Sequence, residues 1–393
     1  MAGALDGYRI VDASQMVSGP MATMILADQG ADVIKVEPPG TGDLTRALGA
    51  AYRGLSPSFA VINRNKRSVA IDLKQQRGVE LLKRIVARAD VFVQNFRPGT
   101  AARMGIGERE LRTVKPDLIY VSISGFGEKG PYAQRRVYDP VIQALSGLAD
   151  IQADWETGRP RMMRLIIPDK VTALTAAQAI TAALLARERT GKGQHVKLAM
   201  LDAVIAFLWP EGMARYTFGS AKSNAVRPRS PDLIFETADG YITVGAVSDA
   251  EWKGLATALG HPEWIDDPRF NTPAARVINL KDRLELTAGV LRSRPSVEWL
   301  ARLEANQVPS APVLSREQMM TDPQVIENEL IVESVHPHAG PMREPRPAAR
   351  FDSTPAEIRR AAPLLGEHTD EVLAEIGLAQ DTIAELRSSR VVA

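Results

Sequence analysis

Few residues in this chain are equipped for covalent chemistry. None of the 393 residues is cysteine, which removes thiolate nucleophiles, disulfides and cysteine-bound metals together and suits a reducing compartment. No Gly-x-Ser-x-Gly elbow is present. The five histidines are His195, His261, His336, His338 and His368. His336 and His338 flank a proline, but no third ligand is spaced to join them, and His195 opens a strand-like run and reads as structural. A carboxylate is left as the leading group for nucleophilic work. Asp169, in Pro168-Asp169-Lys170-Val171-Thr172, stands at the mouth of a long apolar helical stretch. There it is placed to cap backbone N–H groups and to stay ionised beside the positive helix end. Read locally it is a helix cap first, but an ionised, positioned carboxylate can also be a nucleophile.

The second chemical signal is positive charge. Between residues 60 and 110 stand eleven cations against five acidic residues. Lys83, Arg84 and Arg88 fit a solvated helix face, whereas Lys66, Arg67, Lys74, Arg97 and Arg103 fall near strand ends and loops. Cations at the carboxyl ends of strands suit a multiply phosphorylated ligand. Asn95-Phe96-Arg97-Pro98-Gly99, directly after an apolar run, is the best local candidate. A Gly-x-Gly-x-x-Gly pattern occurs at residues 125–130, but it runs into Pro131 instead of opening a helix, and no acidic residue ends a paired strand about 20 residues on. It reads as a glycine-rich turn and not as a nicotinamide site.

The elements that must position these groups alternate. Strand-like runs at 8–11, 32–36, 69–73, 91–94, 118–122 and 194–199 are separated by helical patterns at 20–29, 78–88 and 108–114, with a helix from 201. This predicts parallel βαβ units in a doubly wound α/β sheet. Residues 220–232 are polar with two prolines and read as a linker. Beyond it, runs at 233–237 and 241–247 around Asp239-Gly240 predict an antiparallel hairpin. Helices are expected near 251–259, 280–291 and 296–305, then a Pro/Arg-rich segment at 341–350, then helices at 369–376 and 381–387. The predicted plan is a large domain over 1–219, a small α+β domain over 233–325, and a return segment over 326–393. A net charge of +1 argues against nucleic-acid or membrane-surface roles. No signal peptide or membrane-length apolar run is evident, so a cytoplasmic protein is expected.

Several motifs are collinear with a known family. They include Gly30-Ala31-Asp32-Val33-Ile34-Lys35-Val36-Glu37 with Pro39-Gly40-Thr41-Gly42-Asp43, then Asn65-Lys66-Arg67-Ser68 and Gln94-Asn95-Phe96-Arg97-Pro98-Gly99. Arg103-Met104-Gly105, Ser124-Gly125-Phe126-Gly127, the run from Tyr138-Asp139-Pro140 to Gly147, Gly191-Lys192-Gly193-Gln194-His195-Val196 and Leu365-Gly366-Glu367-His368-Thr369-Asp370 continue the series. Together they resemble the class III CoA-transferases, the formyl-CoA and carnitine CoA-transferase family, which also holds α-methylacyl-CoA racemase.

The resemblance implies a Rossmann-like large domain built from both chain ends, a small domain, and a homodimer of two subunits threaded like linked rings. It implies acyl-CoA:carboxylate CoA transfer, with no tightly bound cofactor, no metal, and coenzyme A or acyl-CoA as substrate. The family's catalytic aspartate matches Asp169. Its coenzyme A contacts match Val17 and Ser18, then Ile71, Asp72, Leu73 and Lys74, then Asn95, Phe96 and Arg97, then Arg103, and finally Arg135, Arg136, Val137 and Tyr138. Three departures stand out. Tyr138 occupies the position where the racemase branch uses a histidine base, which favours transfer over racemisation. The stretch 220–231 lacks the glycine-rich loop of formyl-CoA transferase, which argues against a formyl or oxalyl substrate. Pro38 stands where some relatives place an arginine for the coenzyme A phosphates. The rivals are a racemase on the same scaffold, which would exchange an α-hydrogen without an acceptor acid, and a non-catalytic CoA-binding protein. Arg161, Arg164 and Lys170 near the aspartate suggest a dicarboxylate acceptor such as succinate.

Overall fold

The computed structural model describes residues 2–49, 51–53, 55–154, 156–210, 212–218 and 232–393. The expected linker lies, but for Asp232, outside these residues. The described chain forms two compact units, one of residues 1–224 with 329–393 and one of residues 225–328.

The first unit is built on six parallel strands: β1 Arg9–Asp12, β2 Asp32–Glu37, β3 Lys66–Ala70, β4 Val91–Gln94, β5 Ile119–Ser124 and β6 His195–Ala199. Their order is β3-β2-β1-β4-β5-β6, so the chain reverses its direction of travel across the sheet between β1 and β4. The central strands β4 and β5 are largely apolar because both faces are covered, whereas β2 and β3 also carry the buried charges Lys35, Lys66 and Arg67. One face carries α1 Ser18–Asp28 and the 24-residue α2 Ile167–Thr190. In α2 the buried positions Ala173, Ala176, Ala177, Ile180, Ala183 and Leu184 recur at three- and four-residue spacing. Small side chains on that stripe let the helix lie close to α1 and the sheet. The other face carries the helices Gln76–Val86 and Glu108–Val114, together with the C-terminal helices Thr369–Glu375 and Gln380–Ser388. The chain end closes this layer: Asp72 N donates to Val391 O at 2.9 Å, and Ile71 bridges to Val392.

Two sequence expectations shift here. The third strand begins at Lys66 and ends at Ala70, so residues 71–73 follow it where the apolar pattern put them inside it. Lys66 and Arg67 are cationic yet buried, which hid the start of the strand. The Pro/Arg-rich segment is also partly strand. Gly340–Pro345 pairs antiparallel with Ile331–His336, its prolines at 341 and 345 opposite Val335 and Ile331. Near this hairpin, buried His336 has both ring nitrogens occupied. Nε2 lies 2.8 Å from Ala362 O, and Nδ1 accepts the N–H groups of His338 and Ala339.

The second unit holds the expected hairpin, Ile234–Glu236 with Tyr241–Val244, extended by Ser310–Pro312. Helices Asp249–Leu259, Leu280–Leu291 and Ser296–Ala305 supply its core around Trp252, Trp264, Phe270 and Trp299.

Candidate active site

In an open parallel sheet the crevice for a ligand forms where successive crossovers part to opposite sides, beyond the carboxyl ends of the strands there. In this sheet that place is between β1 and β4. The loop after β1 carries Gln15, Met16, Val17 and Ser18, and the loop after β4 carries Asn95 to Gly99. Asn95 stitches the two together: Gln15 N donates to Asn95 Oδ1 at 2.9 Å, and Asn95 Nδ2 donates to Gln15 O at 2.7 Å. A third wall comes from Arg135 to Tyr138. It lies close over the end of β5 because Gly125 leaves room, as a Cβ there would stand 2.3 Å from Val137 Cγ1.

These segments enclose a cavity of about 320 Å³, and Asp169 lines it from the first turn of α2. Ser18, Asn95, Phe96, Arg97, Arg135, Arg136, Val137 and Tyr138 line the same cavity. The structure does not bring every expected contact into it. Val17 precedes α1 without lining the cavity, Ile71 has its side chain in the core, and Asp72 is occupied by Lys74 N and Gln75 Nε2. Leu73 packs on that core, Lys74 is exposed, and Arg103 donates to Thr100 Oγ1. Gln15, Met16, Ile123 and Met200 line the cavity and were not singled out from sequence. For Gln15 and Met16 the position beside the strand-order reversal is the one signal that pointed to them; Ile123 on β5 and Met200 after β6 carried none.

The reading of Asp169 as a cap is overturned. Helix α2 begins at Ile167, and no side chain of its own N-terminal residue caps it. The acceptor for the Asp169 N–H is Asp139 Oδ2, 3.2 Å away, and Asp139 Oδ1 accepts from Gln143 Nε2 at 2.6 Å. Gln143 Oε1 in turn takes the N–H of Met163 at 2.9 Å, fixing the approach to the helix. Asp139, buried at 3 % exposure, therefore does the capping, and the Asp169 carboxylate points elsewhere. Its Oδ1 accepts the hydroxyl of Ser18 at the start of α1.

The electrostatics follow from that placement. Burial pushes the Asp169 pKa above its ordinary 3.8 and the nearby Asp139 carboxylate adds to the rise, while the Ser18 hydroxyl and N–H oppose it. The net direction is upward, against the expectation of a carboxylate held fully ionised by its own helix mouth. A raised pKa makes the carboxylate a stronger nucleophile once ionised.

Two charge assignments also change. Lys66 is fully buried on Asp12, and Arg67 is spent on Asp32, Glu371 and Glu375, so neither faces a ligand. Arg161 pairs with Asp154, and none of Arg161, Arg164 and Lys170 lines the cavity; among the described residues its cations are Arg97, Arg135 and Arg136. A larger hollow of about 670 Å³ adjoins it behind Phe96, Pro98 and Ile123, and Asp169 does not line that one. There Ser122 Oγ lies 2.8 Å from His195 Nε2, so the histidine is engaged at the start of β6.

Known proteins resemble this chain over its whole length. A sequence profile of CoA-transferase family III matches residues 5–369. Succinyl-CoA:glutarate CoA-transferase of Homo sapiens is 36% identical over 394 residues, covering 99% of this chain and 90% of the relative. Succinate–glutarate CoA-transferase of Agrobacterium fabrum is 35% identical, covering 96% and 97%. Formyl-CoA:oxalate CoA-transferase of Streptomyces avermitilis is 35% identical over all of both chains. Among solved structures, Rv3272 of Mycobacterium tuberculosis superposes with a TM-score of 0.83 at 32% identity, covering 94% of this chain and 99% of the other. A CAIB/BAIF family protein of Brucella suis gives 0.82 at 32% identity, covering 96% and 100%.

Proposed function

This chain belongs to CoA-transferase family III, and from that premise we propose that it exchanges coenzyme A between a thioester and a free carboxylic acid through a covalent intermediate on Asp169. The observation that carries the proposal is the Asp169 carboxylate itself. It does not cap its own helix, is oriented by Ser18, and faces a cavity whose rim holds Arg97, Arg135 and Arg136.

A carboxylate oxygen of Asp169 attacks the thioester carbonyl, and the tetrahedral oxyanion collapses by expelling the CoA thiolate. The resulting mixed anhydride is opened by that thiolate at the aspartyl carbonyl, which releases the donor acid and leaves an aspartyl-CoA thioester. The acceptor carboxylate then attacks the aspartyl thioester, and the thiolate closes the cycle on the acceptor's acyl carbon, freeing Asp169. Every step trades one carboxylate or thiolate for another, so no proton transfer or redox partner is required. The cationic rim suits the phosphates of coenzyme A. Tyr138 leaves the α-carbon without the histidine base that racemisation would use. Incubation with an acyl-CoA in the absence of acceptor, followed by acid quench and intact mass analysis, is expected to reveal an adduct of one coenzyme A less water. Turnover without any such adduct would sink the covalent route.

Protonation of the nucleophile sets the acid limb of the rate profile. Because burial and Asp139 raise the Asp169 pKa, that limb lies higher in pH than an unperturbed aspartate would put it. Asp139→Asn keeps an oxygen for the Asp169 N–H while removing the charge, so the acid limb of kcat/KM is expected to move to lower pH. A limb that stays in place or moves up contradicts the electrostatic role of Asp139.

The acyl groups proposed are short dicarboxylates of the succinyl and glutaryl kind, after the relatives that carry those names. A distal carboxylate that pairs with one of the three cavity arginines, the others serving the phosphates, contributes about 1.5–3 kcal/mol, so succinate and glutarate are expected to exceed butyrate and valerate by about 10- to 100-fold in kcat/KM. Equal use of the monoacids removes the dicarboxylate reading. The same proposal includes an interlinked homodimer. Exposed Leu174 and Leu185 on α2, with Phe207 beyond β6, support a covering partner, and light scattering reads the mass directly.

A further inference from the structure

The turn between β1 and α1 is held from behind by charges that never meet solvent. Lys35 on β2 and Asp43 are both fully buried, with Lys35 Nζ 2.8 Å from Asp43 Oδ2. That oxygen takes no well-angled hydrogen bond, so charge holds the contact. Lys35 Nζ also donates to Ser14 O at 3.0 Å, and Asp43 Oδ1 accepts the N–H of Met16 at 3.2 Å. The pair thus grips the carbonyl on one side of Gln15 and the amide on the other. What it grips is unusual: Met16 has φ 67°, a left-handed conformation that costs any residue with a Cβ. Two residues later stands Ser18, whose hydroxyl holds Asp169. Neither Lys35 nor Asp43 lines the cavity.

We propose that the buried Lys35–Asp43 pair is a positioning device for catalysis: it holds Met16 in its left-handed turn, which delivers the Ser18 hydroxyl to Asp169 and sets the nucleophile's aim. A network serving only the fold would require charges somewhere in this core but not a grip on both ends of a strained turn. The lever is short, and a displacement of about 1 Å at a reacting group can cost about 100-fold in rate. This inference rests on the reading of Asp169 as nucleophile.

The test is a double-mutant cycle with Ser18. Asp43→Asn preserves shape but turns an amide N–H₂ or a repelling dipole toward Lys35 or Met16, and Lys35→Met removes the other partner. Each is compared with Ser18→Ala by kcat, KM, coenzyme A binding and thermal melt. The expected result is a cooperative melt for Asp43→Asn, coenzyme A affinity within about 2-fold, and kcat lower by about 10- to 100-fold. In the Ser18→Ala background the further loss from Asp43→Asn is expected to be clearly smaller than in the wild type, since the hydroxyl contact through which both act is gone and only the Ser18 N–H remains. If Lys35→Met does not fold, the Asp43→Asn cycle alone decides. Unchanged kcat in Asp43→Asn, or losses that multiply with Ser18→Ala, overturns the positioning role. Failure of the underlying reading looks different: Asp169→Ala would then keep its turnover, whatever Asp43→Asn does.

Discussion

Asp169→Ala is expected to lower turnover by at least about 1,000-fold while coenzyme A still binds, because alanine leaves no group able to form the anhydride. Mass analysis of this variant after exposure to acyl-CoA should find no adduct. Near-normal turnover would end the mechanism proposed above. Asp169→Asn carries a second, thermodynamic expectation. Folding raises the pKa of Asp169, so the folded chain binds a proton there more readily than the unfolded chain does. Such a group favours the folded state below its unfolded pKa and loses that contribution as pH rises through the folded value. At neutral pH the ionised, partly buried carboxylate therefore works against stability. The neutral amide, which still accepts from Ser18, is expected to melt higher than the wild type at pH 7, with the advantage vanishing in acid. An inactive but more stable variant is the signature of a residue retained for chemistry. A lower melting temperature at pH 7 would contradict this account.

Lys66→Met is expected to cost about 3–5 kcal/mol of stability, since it strips one partner from a pair that solvent cannot reach. Lys66 Nζ donates to Asp12 Oδ2 at 2.9 Å, to Pro20 O at 2.8 Å and to Asn63 Oδ1 at 2.9 Å, and both Lys66 and Asp12 are fully buried. Burial by itself would raise the Asp12 pKa, but Lys66 and Lys35, with the hydroxyls of Ser14 and Thr23, hold it well below the usual carboxylate range. Without Lys66 that carboxylate loses its strongest support. Because total stabilities run to about 5–15 kcal/mol, the loss is a large fraction of the whole. Urea unfolding should show a lower midpoint at unchanged slope. Adding Asp12→Leu, which removes the stranded charge, should restore part of the loss; a wild-type midpoint for the single variant would refute the argument.

The chain's family and most of its elements are legible because they are written locally. The strand at 91–94 is an apolar run buried on both faces, the strand at 32–36 is apolar but for Asp32 and Lys35, and the helices at 108–114, 280–291 and 296–305 repeat at the helical period and end where it ends. The misreadings share one cause. Lys66 and Arg67 looked like ligand-facing cations because charge is normally solvated, and only partners 54 and 35 residues away, Asp12 and Asp32, make their burial tolerable. Residues 341–345 looked like a proline-rich connector because strand pairing at 331–336 is not visible in a window around the prolines.

Asp169 divides along the same line. By itself the sequence determined that this carboxylate stands at the start of a long helix, in a chain without cysteine and with motifs of a CoA-transferase. Which oxygen or nitrogen it would face was decided by tertiary structure. Asp139, 30 residues away, takes over the helix cap, and Ser18, 151 residues away, takes the carboxylate. The physical reason is that a helix N-terminus needs an acceptor but does not specify whose. Once the fold supplies another acceptor, the local one is released for chemistry.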